Sequence, residues 1–492
     1  MQGFLRIASV GAATMAACFG FGQIKYALVD LGTLSGGSYS EAFAINASGQ
    51  AVGYSDMGSG AEHAFLYSGS SMTDLGIFSG GSWSRAAGLN DSTQIVGSGD
   101  VTGENQHALS YLKGTRTNLS TLGGSNSFAA AINDSGIIVG QSATTSDVAQ
   151  HAFSLSGGTM TDLGTLGGGT WSAATAVNAS GQIVGVGDTS STFQHAFLYS
   201  GGTMADLGTL GGVDSYASAI NASGQIVGYS NPAGATVDVM HGFLYSGGSM
   251  SDLGVLSGGA WSQANGINTW GQVVGEADNG AGSYDGFVYF GGGMTDLNNL
   301  LDSTGSGWQI CDATAVNDSG QITGWGYNAD GYLHAFILTP HPAVAGKVTL
   351  QDFKGSPSSV QVTIQIRTAG TTTAVQTQTQ YLNSDGTFEF ASTLSGTYDV
   401  AIKASHWLRE KLSSVVLSGK GVTGGLSVSL INGDVNGDNT INLADLVAMA
   451  AAWRTTSSSS NWNVNADLNG DGVVNLADWM IAARNYRKTG DQ

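Results

Sequence analysis

Two twelve-residue runs near the end of the 492-residue chain, "DVNGDNTINLAD" at 434–445 and "DLNGDGVVNLAD" at 467–478, carry an oxygen-bearing side chain at alternate positions. In the first, Asp434, Asn436 and Asp438 are followed by the carbonyl of Thr440, then Asn442 placed to hold a water, and Asp445 at the twelfth position. The second offers Asp467, Asn469, Asp471, the carbonyl of Val473, Asn475 and Asp478. Carboxylate and carbonyl oxygens so closely spaced suit a hard cation wrapped by about seven oxygens, and calcium is the physical match. Two loops predict two Ca2+. Position six is Asn439 in one and Gly472 in the other, residues that tolerate positive φ.

Elements to hold these loops follow at once. "LADLVAMAAAW" and "LADWMIAARNY" have helical spacing with no Pro or Gly inside. The donor order is that of the EF-hand, with Asp where the EF-hand has Glu at position twelve, which draws the loop closer to its helix. Two loop–helix units 33 residues apart resemble a type I-like dockerin over 432–488. The resemblance implies a cohesin-like partner, usually in assemblies that degrade plant polysaccharide. At the tenth and eleventh loop positions dockerins of the cellulosome type carry Ser or Thr against cohesin. Here they are Leu443-Ala444 and Leu476-Ala477, so these four are the candidate partner contacts and the partner's identity stays open, with a surface anchor as the alternative. A domain this small without disulfides needs a staple, and bound ions couple binding to folding.

Between residues 23 and 340 one phrase recurs: "MTDLGTLGG", a run ending "AIN", then "SGQIVGYS", then "HAFLYSGG". The "DLG" element begins at positions 30, 74, 118, 162, 206, 252 and 296, a spacing of 44 except for one interval of 46. Four short apolar runs per period, each ended by Gly, Ser or Asn, predict four-stranded blades. The series opens with "KYALVDLG", the end of a repeat, and closes with "HAFILT", its third strand. Each end thus completes the other, giving a seven-bladed β-propeller rather than an open β-solenoid. The phrase resembles the extracellular HAF repeat family, as at His63-Ala64-Phe65 and His195-Ala196-Phe197. That resemblance covers about two-thirds of the chain and implies exported bacterial proteins of unassigned role.

Residues fixed by the repeat solve a problem shared by every blade. The "HAF" histidines are therefore read as structural rather than metal ligands, the "DLG" aspartates as turn formers, and the "NAS" and "NDS" asparagines as hairpin residues rather than glycosylation acceptors. One aromatic precedes each "AIN": Tyr39, Trp83, Phe128, Trp171, Tyr216, Trp261 and Trp308. All lie an odd number of residues from the turn asparagine, so period two puts every ring on one face. They are either wedges between blades or a ring at one mouth that stacks on sugars or grips a partner. Glu41, Glu62, Glu104 and Glu276 fall at unrelated repeat positions, and nothing in sequence pairs them for catalysis.

The remaining segments set the frame. Net charge is −20 with 16 Lys plus Arg, which excludes nucleic acid as a partner. Residues 1–22 have the pattern of a secretory signal, and Cys18 in "MAAC" offers lipoprotein attachment as the alternative. No later apolar run is long enough to span a membrane, so no transmembrane helix is expected in the mature chain. Residues 343–431 alternate as in a small antiparallel β-sandwich, a spacer similar to carboxypeptidase-regulatory or prealbumin modules through "GTYDVAIKASHW", with Trp407 in its core and His406 at its rim. The fold class expected is mainly β, a propeller followed by a sandwich and a small helical dockerin. The function expected is an exported, non-catalytic binding protein, with a glycoside hydrolase or a structural surface-layer component as alternatives.

Overall fold

The computed structural model describes residues 24–492 apart from 78–79, 102–104, 190–192, 237 and 420. The signal segment, Cys18 and Glu104 lie outside the described residues. Residues 26–340 form seven four-stranded antiparallel sheets. One is built from Ser40–Ile45, Ala51–Asp56, Glu62–Ser68 and Ser71–Asp74. The first strand of each sheet meets the first strands of its neighbours, so these seven form the inner wall of a ring. The last sheet is completed by both ends of the array, Tyr26–Asp30 pairing antiparallel with Leu333–Pro340.

The repeated residues explain why the sheets stack. The phenylalanine of the "HAF" phrase is fully buried between sheets at Phe65, Phe153, Phe197, Phe243, Phe287 and Phe336, each such burial stabilising by about 2–3 kcal/mol. Every inner strand bulges two residues before the turn asparagine's neighbour, as between Ala42 and Ala44, which pushes a carbonyl toward the facing strand. A Cβ on Gly53 would lie 1.8 Å from the Glu41 oxygen, and one on Gly228 would lie 1.9 Å from that of Tyr216. The glycine of "IVG" recurs because no side chain fits opposite the bulge.

At the hairpin end, each turn asparagine closes its own loop and grips the next sheet. Asn178 Oδ1 accepts from Ser180 N at 3.1 Å and Gln182 N at 3.0 Å, and Asn178 Nδ2 donates to Asn221 O at 3.2 Å. The same inter-sheet bond joins Asn46, Asn90, Asn133, Asn178, Asn221, Asn268 and Asn317 at 2.9–3.3 Å, the last donating back to Asn46 O. All seven are buried. On the outer edge the histidine Nδ1 bonds the "DLG" carboxylate, as in His151–Asp162 at 2.9 Å and His334–Asp30 at 2.9 Å. His107 bonds Asn118 instead, at 2.9 Å.

The sandwich comprises a three-stranded sheet (Thr387–Ala391, Ala343–Leu350, Val422–Leu430) facing a four-stranded one (Ala374–Tyr381, Gln361–Thr368, Ser395–Ala404, Glu410–Ser418). It is not wholly antiparallel: Ala343–Leu350 and Val422–Leu430 run parallel. Both carry the chain from the ring toward the C-terminal domain, so they must point the same way. The sandwich sits on the ring through Trp270, which meets Phe290 edge-on at 5.2 Å and lies where any Cβ on Gly424 would fall, at 2.8 Å. Two helices follow, α1 (Leu443–Ala451) and α2 (Leu476–Arg484). No helix among the described residues is long and apolar enough to cross a membrane.

Candidate metal loops and partner face

Each loop is drawn tight by its own backbone before any ion is considered. Asp445 accepts from Asn436 N at 3.1 Å and Asn442 N at 2.8 Å, and Asp478 accepts from Asn469 N and Asn475 N at the same two distances. The twelfth-position carboxylate therefore bridges the start of the loop to the start of the helix. Asn442 and Asn475 cap the helices, accepting from Ala444 N at 2.7 Å and Ala477 N at 2.8 Å. Asn439 takes φ +71° and Gly472 φ +85°, as the turn at position six requires.

The donor set fits a cation. Asp434 is fully buried, and its Oδ1 has no hydrogen-bond partner, an oxygen aimed nowhere unless a positive charge meets it. Burial, and then the charges of Asp434 and Asp438, push the Asp445 carboxyl above its usual range; burial, and then Asp478 and Asp471, do the same to Asp467. Carboxyls crowded out of water in this way gain most from a divalent ion. Among the described residues no three His, Cys, Asp or Glu side chains suffice to hold a metal by themselves. A complete shell here has to draw on Asn436, Asn469 and the carbonyls of Thr440 and Val473.

The loops differ in their surroundings, which their sequences do not reveal. Lys403 Nζ, from the sandwich, sits 2.7 Å from Asp434 Oδ2 and 2.7 Å from the Trp407 carbonyl. Among the described residues Asp467 faces no such cation and accepts instead from Gly470 N, Asp471 N and Gly472 N at 2.9–3.2 Å. Phe353 covers the second loop so closely that a Cβ on Gly470 would lie 2.4 Å from its ring, and Lys354 N donates to Asn469 O at 2.9 Å. Arg409 N donates to Asn439 Oδ1 at 2.7 Å. The sandwich is thus a buttress for both loops, more than the spacer expected. His406 is buried rather than at the rim, stacked on Trp407 at 3.7 Å, and desolvation lowers it to about 3.

The four candidate contact residues are exposed on the first turns of the helices. Leu443 and Leu476 are 64% and 62% exposed, and one turn on, Val447 and Met480 are 61% and 64% exposed. Ala444 and Ala477 lie beside them, also exposed. Four large apolar side chains in water, duplicated at the same offset of 33 residues, form two matching faces.

The seven aromatics do not form one ring. Tyr39, Trp83, Trp171 and Trp261 directly precede the first inner-strand residue, while Phe128 and Tyr216 lie two positions deeper. A second bulge between Ile310 and Asp312 throws Trp308 out of phase, and it packs edge-on against Phe336 at 6.4 Å. Phe128 and Tyr216 share their register position with Glu41, Arg85, Ala173, Gln263 and Asp312. Glu276 faces Gln263 across the sheet as Tyr54 faces Glu41. Sequence reading placed Glu41 and Glu276 at unrelated positions; they belong to one cross-strand pair position. Burial, and then the charge of Glu276, raise Asp312, with Glu41 acting the same way, and the three residues stand on three neighbouring sheets. Counting residues from both the "AIN" and the "IVG" would have found them.

Comparison with known proteins bears on parts of the chain. The dockerin type I domain profile matches residues 432–485, and that of the BOS complex subunit NOMO1-like second beta sandwich domain matches 343–425. No curated protein matches the chain. A chain from a type II cohesin–X-dockerin complex of Acetivibrio cellulolyticus is 27% identical, covering 30% of this chain and 97% of its own, with a TM-score of 0.26. The β-propeller domain of the trilobed protease from Pyrococcus furiosus is 10% identical, covering 61% of this chain and 94% of its own, with a TM-score of 0.40. A puromycin-hydrolyzing peptidase of Mycobacterium tuberculosis is 10% identical, covering 61% of this chain and 51% of its own, with a TM-score of 0.42. The C-terminal segment is thus similar to type I dockerin domains, which are calcium-binding.

Proposed function

We propose, from the premise of a C-terminal type I dockerin domain, that this is an exported, non-catalytic protein. Its tail docks it to a cohesin-like partner, and its ring, read as a seven-bladed propeller, recognises a glycan or a protein. Two Ca2+ organise the tail. Asp434, Asn436, Asp438, the Thr440 carbonyl and Asp445 would hold one, and Asp467, Asn469, Asp471, the Val473 carbonyl and Asp478 the other. Asn442 and Asn475 would add a water-mediated contact while still capping their helices. Residues 1–22 supply export, so the setting is extracellular, with attachment through Cys18 as the lesser alternative.

The observation that carries this reading is the pair of exposed apolar faces, Leu443 with Val447 and Leu476 with Met480. Stable monomers seldom leave such duplicated side chains in water. Their apolar character favours a cohesin-like surface that is itself apolar rather than one recognising Ser or Thr. The test is a pull-down of the full chain from native secretions, with calcium and with chelator. Calcium-dependent capture of a cohesin-like protein, lost in a Leu443→Asp/Leu476→Asp variant, is the expected result. Capture that ignores both chelation and substitution would overturn the reading.

A further inference from the structure

The two loops carry the same donors. Each has carboxylates at positions one, five and twelve and asparagines at three and nine, and each twelfth-position carboxylate accepts the same two amides at the same two distances. They part at position one. Asp467 accepts three amides of its own loop, whereas Asp434 accepts only one, from Asn439 N to Oδ2 at 3.0 Å, and its Oδ1 accepts nothing.

What Asp434 has in exchange is a cation from another domain. Lys403 ends the sandwich strand Ser395–Ala404, and its Nζ donates to Asp434 Oδ2 at 2.7 Å and to the carbonyls of Trp407, Ala404 and Ser405 at 2.7, 3.2 and 3.3 Å. The Asp434 side chain is 0% exposed and that of Lys403 18%. Four oxygens around one ammonium make this an enclosed charge rather than a swinging surface lysine. Among the described residues no other ion pair reaches a donor carboxylate of either loop.

A carboxylate shut from water needs an opposite charge beside it. Without metal, Lys403 supplies that charge to Asp434, and no side chain does so for Asp467. A calcium ion met by Asp434 Oδ1 would share one carboxylate with the ammonium, well inside the roughly 8 Å over which salt screens charge. It would be repelled, and it would find part of the carboxylate's need already met. The clamp on Oδ2 also fixes the carboxylate's direction, but ordering one short side chain is a small gain beside repulsion between full charges away from water.

We infer that Lys403 is a positioning residue that acts as resident counter-ion of the first loop: it holds Asp434 in the metal-free tail and makes 434–445 the weaker of two calcium sites, so that 467–478 fills first. The inference rests on the reading of both loops as calcium sites and adds an order of filling to it.

Calorimetric titration of the full chain with calcium, after treatment with chelator, tests it. Two steps are expected, with Kd values about tenfold or more apart. Asp471→Ala should remove the tighter step and Asp438→Ala the weaker. Lys403→Met should tighten the weaker step by about tenfold, leave the other in place, and lower the melting temperature of the chelated protein. A lysine that only braced the loop would give the opposite sign, since its loss would loosen the site and weaken calcium binding. Lys403→Gln keeps a hydrogen-bonding group near Asp434 without the charge, so it should shift the weaker step in the same direction even where the Met variant is too unstable to titrate. Lys403→Arg keeps the charge and should leave that step where it is. Two steps of equal affinity, loss of the tighter step in Asp438→Ala, or a weaker step that Lys403→Gln leaves unmoved or weakens would each overturn the inference while leaving two calcium sites. Absence of any calcium binding would instead overturn the reading of the loops, and this inference with it.

Discussion

The ring and the tail are both built by repetition, yet they satisfy buried polar groups in opposite ways. Among the described residues of the ring no buried side-chain nitrogen or oxygen is without a partner: Asn178 alone serves two amides of its own turn and one carbonyl of the next sheet. In the tail Asp434 Oδ1 is left with no protein partner at all. Seven copies can each lean on the next until the circle returns to its start. Two copies have no such closure, and the missing partner has to be imported. Repetition therefore predicts self-sufficiency only when the array closes.

The strongest way to break this contrast is to remove calcium. On the proposal of two bound ions, each at a hundredfold excess over Kd contributing about 2.7 kcal/mol, chelation should lower the stability of the tail by about 5 kcal/mol. Scanning calorimetry should show the ring's transition unmoved, and a common downward shift would erase the distinction. Next in size is the partner face. Leu443→Asp with Leu476→Asp should cost at least about 2 kcal/mol of binding, while the single variants differ little if the two faces are equivalent; a titration by surface plasmon resonance distinguishes these outcomes.

The ring has its own weak point. Asn178→Ala strips partners from buried amides and should destabilise the ring by about 1–3 kcal/mol, seen as a lower urea midpoint, with calcium affinity unchanged. Acid should act on the sandwich–dockerin unit instead. His406 is held neutral by burial at about 3, below the value near 6.5 of an unfolded chain. Its stabilising contribution is complete above pH 6.5 and drains as pH falls toward 3, by up to about 1.4 kcal/mol per pH unit. Melting curves between pH 7.5 and 5 should show the slope, and His406→Phe should flatten it. The smallest effect belongs to the half-exposed outer pairs: His151→Gln should change ring stability by less than about 1 kcal/mol, checked in the same urea series.

How much was legible in the sequence follows from the range of each interaction. Periodic spacing marked the four-stranded units, and the complementary ends anticipated the pairing of Tyr26–Asp30 with Leu333–Pro340, because register and strand length are local properties. The loops and caps were local too: Asp445 and Asn442 act within twelve residues of Asp434. Lys403 and Phe353 could not be found that way, since they reach the loops from another domain. The aromatics were misplaced for a different reason. Parity preserves face but not depth, and the extra bulge at the last sheet reverses even parity for Trp308. Glu41 and Glu276 escaped notice because they sit on different strands of their repeats, and cross-strand register is visible only when both turn and bulge are counted.

The way the last sheet is finished has a mechanical corollary. Tyr26 lies opposite Pro340, and His341 N donates to Lys25 O at 2.8 Å, so the chain joins the ring and departs from it at one end of a single strand pair. Tension drawn through the tail reaches the ring at that point and tends to peel these two strands apart one rung at a time, an unzipping load rather than a shearing one. Apart from the sheet bearing Trp270, on which the sandwich rests, the other sheets lie off the line of force, so most of the ring is sheltered from strain until that seam gives way.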